Sequence, residues 1–512
     1  SVLAIALVLA VRSLVVSSPL QQLRVATTLP TEPAGTVAYE GSIFLPRGGP
    51  YMFGFQSAGA ARLTIGTHVI DGSGSAKQRI VLPPGATALR FAAAPGARMM
   101  WSPPGRRGDM EYVPTASLAP VPPSQAHFAG AGAARLDGVF ALMLLFIIVV
   151  GVLVAARARL AHLTRPQWLA LAAVAVVALT LRLYDLGGAG QTWDEDANWA
   201  AGRNYVTNLL DRDFRAASWQ WNYEHPPMMK YLMGIGAQFA DGFGPARAVA
   251  ALLVTLSCVL LVPLVGRLFR WHVGVIAGLL AALTPTLIAH SKVVGHEAPT
   301  LLWWTLGLLL AVTAFDHLPT DDDAARLRVV LRRIIVLGIV LGLAVASRFV
   351  NVLLGPLLGI VLLLAAPAPL RKSVLTWGAV LVPVVAFVTL VIVWPRLWTG
   401  PFAALAESWQ KLKKPHSPEP FLGTVTNTPF PTYFLWYLMA TMPLGLLLTM
   451  VVGVAVRVRM WWRRSGHGQP DVVQRRAGWI MLAWLVVPLG VMASPVRQDG
   501  VRYVMPCILA MV

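Results

Sequence analysis

The sequence predicts an α-helical polytopic membrane protein with a small β-sandwich inserted near its start. Three observations predict this. Of 512 residues, 56% are hydrophobic and 13% charged, against about 25% charged in a soluble domain. From residue 137 onward apolar runs recur, each suited to cross a hydrocarbon core of about 30 Å as a helix. Residues 18–135 depart from that pattern, with no spanning stretch and many Gly and Pro residues.

Residues 1–16 form the first apolar run. Ser1 opens it without a charged flank and Val512 falls inside another run. The chain therefore reads as a fragment, and the first run as a truncated transmembrane helix rather than a signal peptide. In 18–135, the alternating segments SIFLP, YMFGF, ARLTIG and ALRFAA are separated by RGGP, DGSGSA, PPGA and APGA. Period-two patterning between turn signals reads as a small sandwich, and 106–135 reads as a Pro/Ala-rich linker. The succession YEGSIFLPRGGPYMFGFQS, ARLTIGTHVIDG, VLPPGATALRFAA and MMWSPPG resembles a PA14-type sandwich, a module found on carbohydrate-active proteins. That resemblance implies either a docking role or glycan contact. SAGAARL stands where sugar-binding members carry paired aspartates.

Spanning segments are expected at 137–155, 168–184, 245–269, 273–288, 298–315, 334–348, 352–366, 374–394, 432–456, 479–493 and from 503. The net charge of +19 fits basic cytoplasmic loops better than nucleic-acid binding, since no basic module interleaved with aromatics is present. Loops at 156–167, 270–272, 316–333, 367–373 and 457–478 carry the Arg-rich clusters, which places them inside. Every other loop, including 185–244, 289–297 and 395–431, then faces outward. Cys258 and Cys507 both lie in apolar runs, so neither a disulfide framework nor a metal knuckle is indicated.

The loop 185–244 holds the stretch QTWDEDANWAAGRNYVTNLLDRDFRAASWQWNYEHPPMMKY. Asp194, Glu195 and Asp196 follow Thr192 in a capping-box pattern, which suits a helix start as well as a general base beside an acidic neighbour. Glu224 and His225 precede two prolines and should sit just before a new helix, whose positive end, with Lys230, suits an anion. Adjacent Glu and His can also ligate a divalent metal. Arg348 ends an apolar helix, where a cation serves function or snorkels to the interface. Glu297 opens another helix, as a dipole partner or a site residue. Lys411, Lys413, Lys414 and His416 lie in an outer loop. Trp219, Trp221 and Tyr223 suit an interfacial belt or stacking on sugar.

RLYDLGGAGQTWDEDANWA followed by EHPPMMK, then GHEAP, GLAVASRFVN, WPRLWTGPFAAL and DGVRYVMP, resembles polytopic glycosyltransferases of the GT-C class. The resemblance spans 168–512 and is to the protein O-mannosyltransferase family (glycosyltransferase family 39) and its relatives that transfer aminoarabinose to lipid A. It implies that Asp194 is the catalytic aspartate with Glu195 its partner, and that Arg348 and Arg502 attend the donor phosphate, which Lys230 is expected to join from the helix start. It implies metal ligands at Glu224 and His416, to which the adjacent His225 is a candidate addition; Glu297, Trp199 and Tyr223 are the expected acceptor or substrate contacts. Two departures are Glu297 where Asp is commoner, and Arg348 for Lys; Arg suits phosphate oxygens.

The expected reaction moves a sugar from a polyprenyl-phosphate donor to a hydroxyl of protein, lipid or glycan, with inversion and Asp194 as base, on the periplasmic side of a bacterial inner membrane. Undecaprenyl phosphate is the expected lipid. A transporter, a non-enzymatic glycan-binding anchor and a ligase using a diphosphate donor are the rival readings. On sequence grounds, deleting 18–135 separates enzyme from anchor, because an enzyme should keep some activity.

Overall fold

A computed structural model of the chain describes residues 2–15, 19–104, 110–126, 128, 138–143, 146–147, 150, 163–188, 190–192, 194–239, 242–319, 322–414, 417–462, 472–494 and 497–512. The chain divides into two compact units that do not follow its order. One comprises Ser1–Ala161, Gln191–Phe214 and Met233–Ala246; the other comprises His162–Gly190, Arg215–Leu232 and Arg247–Val512.

The first unit contains a β domain. Its strands are β1 (Arg24–Ala26), β2 (Val37–Leu45), β3 (Gly49–Ile65), β4 (His68–Leu82), β5 (Gly85–Ala93), β6 (Arg98–Ser102), β7 (Glu111–Tyr112) and β8 (Leu118–Ala119). All pairings are antiparallel, and they join into one connected sheet. β3 organises it. Its first half pairs with β6, its last residues pair with β5, and β4 follows both halves across a register shift between Gln56 and Ala60. Such an irregularity bends a strand, and the sheet folds over a single core. Alternate residues Tyr51, Phe53 and Phe55 enter that core with Ile43, Phe91 and Trp101, as the period-two pattern requires.

The expected linker at 106–135 is shorter than its composition suggests. β7 pairs with β6 and β8 with β2, and Val113 and Leu118 join the core. Apolar residues spaced along a Pro-rich stretch gave this segment a buried edge that composition alone conceals.

The helices follow as α1 (Val2–Val15), α2 (Arg165–Leu183), α3 (Glu195–Leu210), α4 (Met228–Ala237), α5 (Gly244–Leu268), α6 (Trp271–Leu283), α7 (Pro285–His290) and α8 (Glu297–Val312). They continue as α9 (Asp323–Ser347), α10 (Leu354–Ala365), α11 (Arg371–Val393), α12 (Pro401–Leu412), α13 (Tyr433–Thr441), α14 (Leu444–Trp462), α15 (Val472–Val486) and α16 (Met505–Met511). In the first unit, Val8 of α1 packs with Phe140, Ala141, and Val206 and Leu210 of α3.

In the second unit, α2, α5, α9, Ala368–Val393 and Arg476–Ala493 are long and apolar enough to cross a membrane, among the described residues. Two expected spans are broken. Residues 432–456 form α13 and α14, bent by 115° at Pro443, which cannot supply the helical N–H. Residues 273–288 divide into α6 and α7 at Thr284–Pro285, where the residue before proline leaves the helical region. α9 begins well inside the expected loop 316–333, its start capped by the Asp322 carboxylate accepting from the Ala324 N–H at 2.8 Å.

α8 and α9 run in opposite senses, which defines two ends of the second unit. At one end lie Glu297 and Arg348. At the other, Arg267 pairs with Asp316 at 2.7 Å, and Arg333 donates to the Ala314 and Asp316 carbonyls. The sixteen residues of α8 separate these charged layers by about 24 Å at 1.5 Å per residue.

Candidate active site

In the second unit three segments distant in sequence meet on one carboxylate. Glu297 is the first residue of α8; Arg348 caps the C-terminus of α9; Arg502 precedes α16. Arg502 Nε donates to Glu297 Oε1 at 2.8 Å and Arg348 Nη1 donates to the same oxygen at 3.1 Å. The Arg348 guanidinium stacks on the Tyr503 ring, 3.8 Å from its centroid. Glu297 is 2% exposed and Arg348 4%. One carboxylate between two guanidiniums leaves the cluster with a net positive charge in a largely dry setting. Arg348 Nε is buried with no hydrogen-bond partner among the described residues.

Local sequence explains each placement. Glu297 sits where the α8 dipole favours an anion. Arg348 is extended at φ −163°, so its side chain leaves the helix axis. Before Arg502, Asp499 and Gly500 both adopt positive φ, and the Gly500 N–H donates to the Tyr433 hydroxyl at 2.9 Å. A Cβ at Gly500 would lie 3.1 Å from the Tyr437 ring, so glycine alone fits this turn comfortably.

His225 and His296 lie beside this cluster, their ring centroids 4.5 Å apart. His296 Nδ1 is 2.8 Å from the Ser347 carbonyl; a carbonyl only accepts, so Nδ1 carries the proton and Nε2 the lone pair. His296 Nε2 is buried without a hydrogen-bond partner among the described residues. Burial, then the nearby His296, Arg348, Lys230 and Arg502, hold His225 well below the usual histidine range. Burial and Arg348 push His296 down as well. Both imidazoles are thus neutral near pH 7.

Lys230 is placed differently from its expected role at a phosphate. Its ammonium is fully buried and donates to the carbonyls of Trp221 (3.0 Å), Asn222 (2.5 Å) and His225 (2.8 Å). Three donors meet three carbonyls, and the residue closes the Glu224–His225 loop onto the start of α4. Burial pushes it down to about 7, opposed by Glu224. α4 begins at Met228, directly after the two prolines, as the sequence indicates.

Glu224 pairs with Lys411 at 2.7 Å. Tyr223 lies between two cations, with Arg396 at 4.4 Å and Lys411 at 4.6 Å from its ring centroid. Arg396, 3% exposed, also binds Gln220, Ser408 and Glu407. Sequence reading missed it, although the WPRLW string around it is a cation among interfacial aromatics. Glu224, His225 and His416 are the expected metal ligands. His416 lies outside the described residues, Glu224 is engaged by Lys411, and no group of three His, Cys, Asp or Glu side chains comes together among the described residues.

The acidic cluster belongs to the first unit. Asp194 is the N-cap of α3 and Glu195 its first residue. The Thr192 N–H donates to Glu195 Oε2 at 3.3 Å, but the helix is capped at Asp194 rather than at Thr192, so the capping box expected from Thr192 does not form. Glu195 is fully buried and Asp194 partly exposed. Trp199 is not placed to meet an acceptor: it is 2% exposed, packed edge-on against Phe243 with Arg203 over its ring.

Residues 224–394 match the family model described as dolichyl-phosphate-mannose-protein mannosyltransferase. Solved structures of the Archaeoglobus fulgidus oligosaccharyltransferase are also similar. The apo form has a TM-score of 0.42 at 15% identity, covering 67% of this chain and 49% of that one. The complex with an inhibitory peptide and a dolichol-phosphate has a TM-score of 0.43 at 15% identity, covering 68% and 49%. The chain spans about half the length of these structures. No curated protein matches it.

Proposed function

We propose that the chain is a membrane glycosyltransferase, moving a sugar from a polyprenyl-phosphate donor to an acceptor hydroxyl of a protein, lipid or glycan. The convergence of Arg348 and Arg502 on Glu297 carries this reading. A desolvated cluster with net positive charge suits a leaving phosphate, whose charge grows as the glycosidic bond breaks. The family match supports glycosyl transfer and covers Glu224, His225, Lys230, Glu297 and Arg348.

In the proposed step the acceptor oxygen attacks the anomeric carbon. The bond from that carbon to the phosphate oxygen breaks, and its electron pair stays on the phosphate. The acceptor proton passes to Asp194, and the sugar configuration inverts. Glu195, engaged with the Thr192 N–H, holds the start of α3 beside that base.

The basic layer around Arg267 and Arg333 supports a cytoplasmic assignment for that end of the second unit. The Glu297 end then faces the extracytoplasmic side, in a bacterial inner membrane the periplasm. A donor dissolved in the bilayer reaches such a site without nucleotide sugars, which the outer side lacks.

The test is turnover and donor binding by the full chain in lipid nanodiscs with a polyprenyl-phosphate sugar. Asp194→Asn should abolish transfer while donor affinity stays within about threefold. Arg348→Ala should weaken both. Turnover by Asp194→Asn near the wild-type rate removes Asp194 from the role of base.

A further inference from the structure

The β domain and the helix that starts at Asp194 are parts of the same compact unit, and a buried polar seam joins them. The Asn204 carboxamide pairs with the backbone at and just before β7 as a strand would: its Nδ2 donates to the Met110 carbonyl at 3.1 Å, and its Oδ1 accepts from the Tyr112 N–H at 3.1 Å. Glu111 of β7 accepts from Trp101 Nε1 at 3.1 Å and pairs with Arg203 at 3.4 Å. Arg98 of β6 donates to Asn208 at 3.0 Å, pairs with Asp213 at 3.1 Å and stacks on Tyr112. Glu111, Asn204 and Asn208 are each at most 2% exposed. Buried polar groups with mutual partners specify one arrangement, because any slippage strands them. A loose tether or a solvent-facing binding module would need none of these contacts.

We propose that the β domain is the positioning element for the acidic N-terminus of α3, with Arg98, Glu111 and Asn204 as its positioning residues. This rests on the reading of Asp194 as base. Asn204 lies ten residues along a rigid helix from Asp194, about 15 Å at 1.5 Å per residue. A tilt of about 5° at the seam therefore shifts Asp194 by about 1.3 Å, and a displacement on the order of 1 Å can cost about 100-fold in rate. These three residues act through the helix and touch no substrate.

The experiment compares Arg98→Ala, Arg98→Lys and Asn204→Ala in the full chain in nanodiscs. The Arg62→Ala control breaks an exposed pair with Asp71 on β3 and β4. Three quantities are read: kcat, donor KM, and amide hydrogen exchange of 195–204 against β2 and β5. Arg98→Ala and Asn204→Ala should lower kcat about 10- to 100-fold, leave donor KM within about threefold, and speed exchange of 195–204 while β2 and β5 stay protected. Arg98→Lys should recover part of kcat, and Arg62→Ala should change nothing. Unchanged kcat in both Arg98→Ala and Asn204→Ala overturns the proposal, as does loss of protection throughout the sheet in Arg98→Ala. An active Asp194→Asn would sink the base assignment instead, while faster exchange at 195–204 would still register the seam.

Discussion

Glu297→Gln is the most informative single change. The amide keeps the shape of the carboxylate and can still accept a hydrogen bond, but it removes the one negative charge shared by Arg348 and Arg502. Losing one partner of a buried ion pair costs about 3–5 kcal/mol. Arg348 is 4% exposed and has no recourse to water. The Arg502 side chain is 22% exposed and recovers some hydration, so the lower end, about 3 kcal/mol, is expected. The assay is unfolding of wild type, Glu297→Gln and Arg348→Ala in nanodiscs, with and without a short-chain polyprenyl phosphate. A ligand at 100 times its Kd adds about 2.7 kcal/mol to the state that binds it. In Glu297→Gln the phosphate also restores the missing counter-charge, so its effect should exceed that on wild type. Arg348→Ala should lose most of it. Equal stabilisation of all three proteins would refute phosphate binding at this cluster. A Glu297→Gln variant as stable as wild type would refute the burial argument itself.

Acid sensitivity follows from the histidine pair. An unfolded imidazole titrates near 6.5, and burial and positive neighbours put the folded His225 and His296 below that. Below about pH 6.5 the unfolded chain therefore binds more protons, and stability should fall as pH drops, by up to about 1.4 kcal/mol per unit for each histidine. Denaturation midpoints that stay level between about pH 5 and 7 would contradict the pair's neutrality. Arg182 is fully buried at the end of α2 and donates to the Ala281 and Ala282 carbonyls at the end of α6. Arg182→Ala should cost about 1–3 kcal/mol per stranded carbonyl, with turnover per folded molecule unchanged; thermal unfolding beside an activity assay checks both.

Much of the second unit was legible because its determinants are local. Apolar runs of spanning length, prolines after His225 and basic loops each act over a few residues, and α4, α5, α8 and α11 start near where those signals place them. The separate placement of Glu297, Arg348 and Arg502 on one face came from counting loops. That they share a single carboxylate oxygen depends on rotamers and on the left-handed turn at Asp499–Gly500, which no periodicity encodes. The carbonyl partners of Lys230 are hidden for the same reason. A lysine near a helix start suggests an anion, yet the double proline folds three carbonyls back onto its ammonium. Arg396 was overlooked because a lone cation among tryptophans looks like an interfacial anchor. Within the first unit, no local signal marks Asn204, Asn208 and Arg203 of α3 as buried. They became buried because β6 and β7 supply the matching groups, and such pairing is visible only once both partners are placed.

That pairing changes what a deletion can decide. Removing 18–135 takes away Arg98, Glu111 and the Met110 and Tyr112 backbone groups together. Arg203, Asn204 and Asn208 would then face the gap with their hydrogen bonds broken, at a cost of about 1–3 kcal/mol each if left buried. An enzyme whose base sits at the head of α3 would lose activity on this deletion, and so would a glycan-binding anchor. Substitution within the seam keeps the two apart. The outward faces of β3 and β4 are untouched by Arg98→Ala, so an anchor would retain any glycan ligand bound there. An enzyme with Asp194 as base would keep donor affinity and lose turnover. Donor binding, glycan binding and kcat measured on that one variant therefore distinguish a domain that holds a ligand from one that holds a helix.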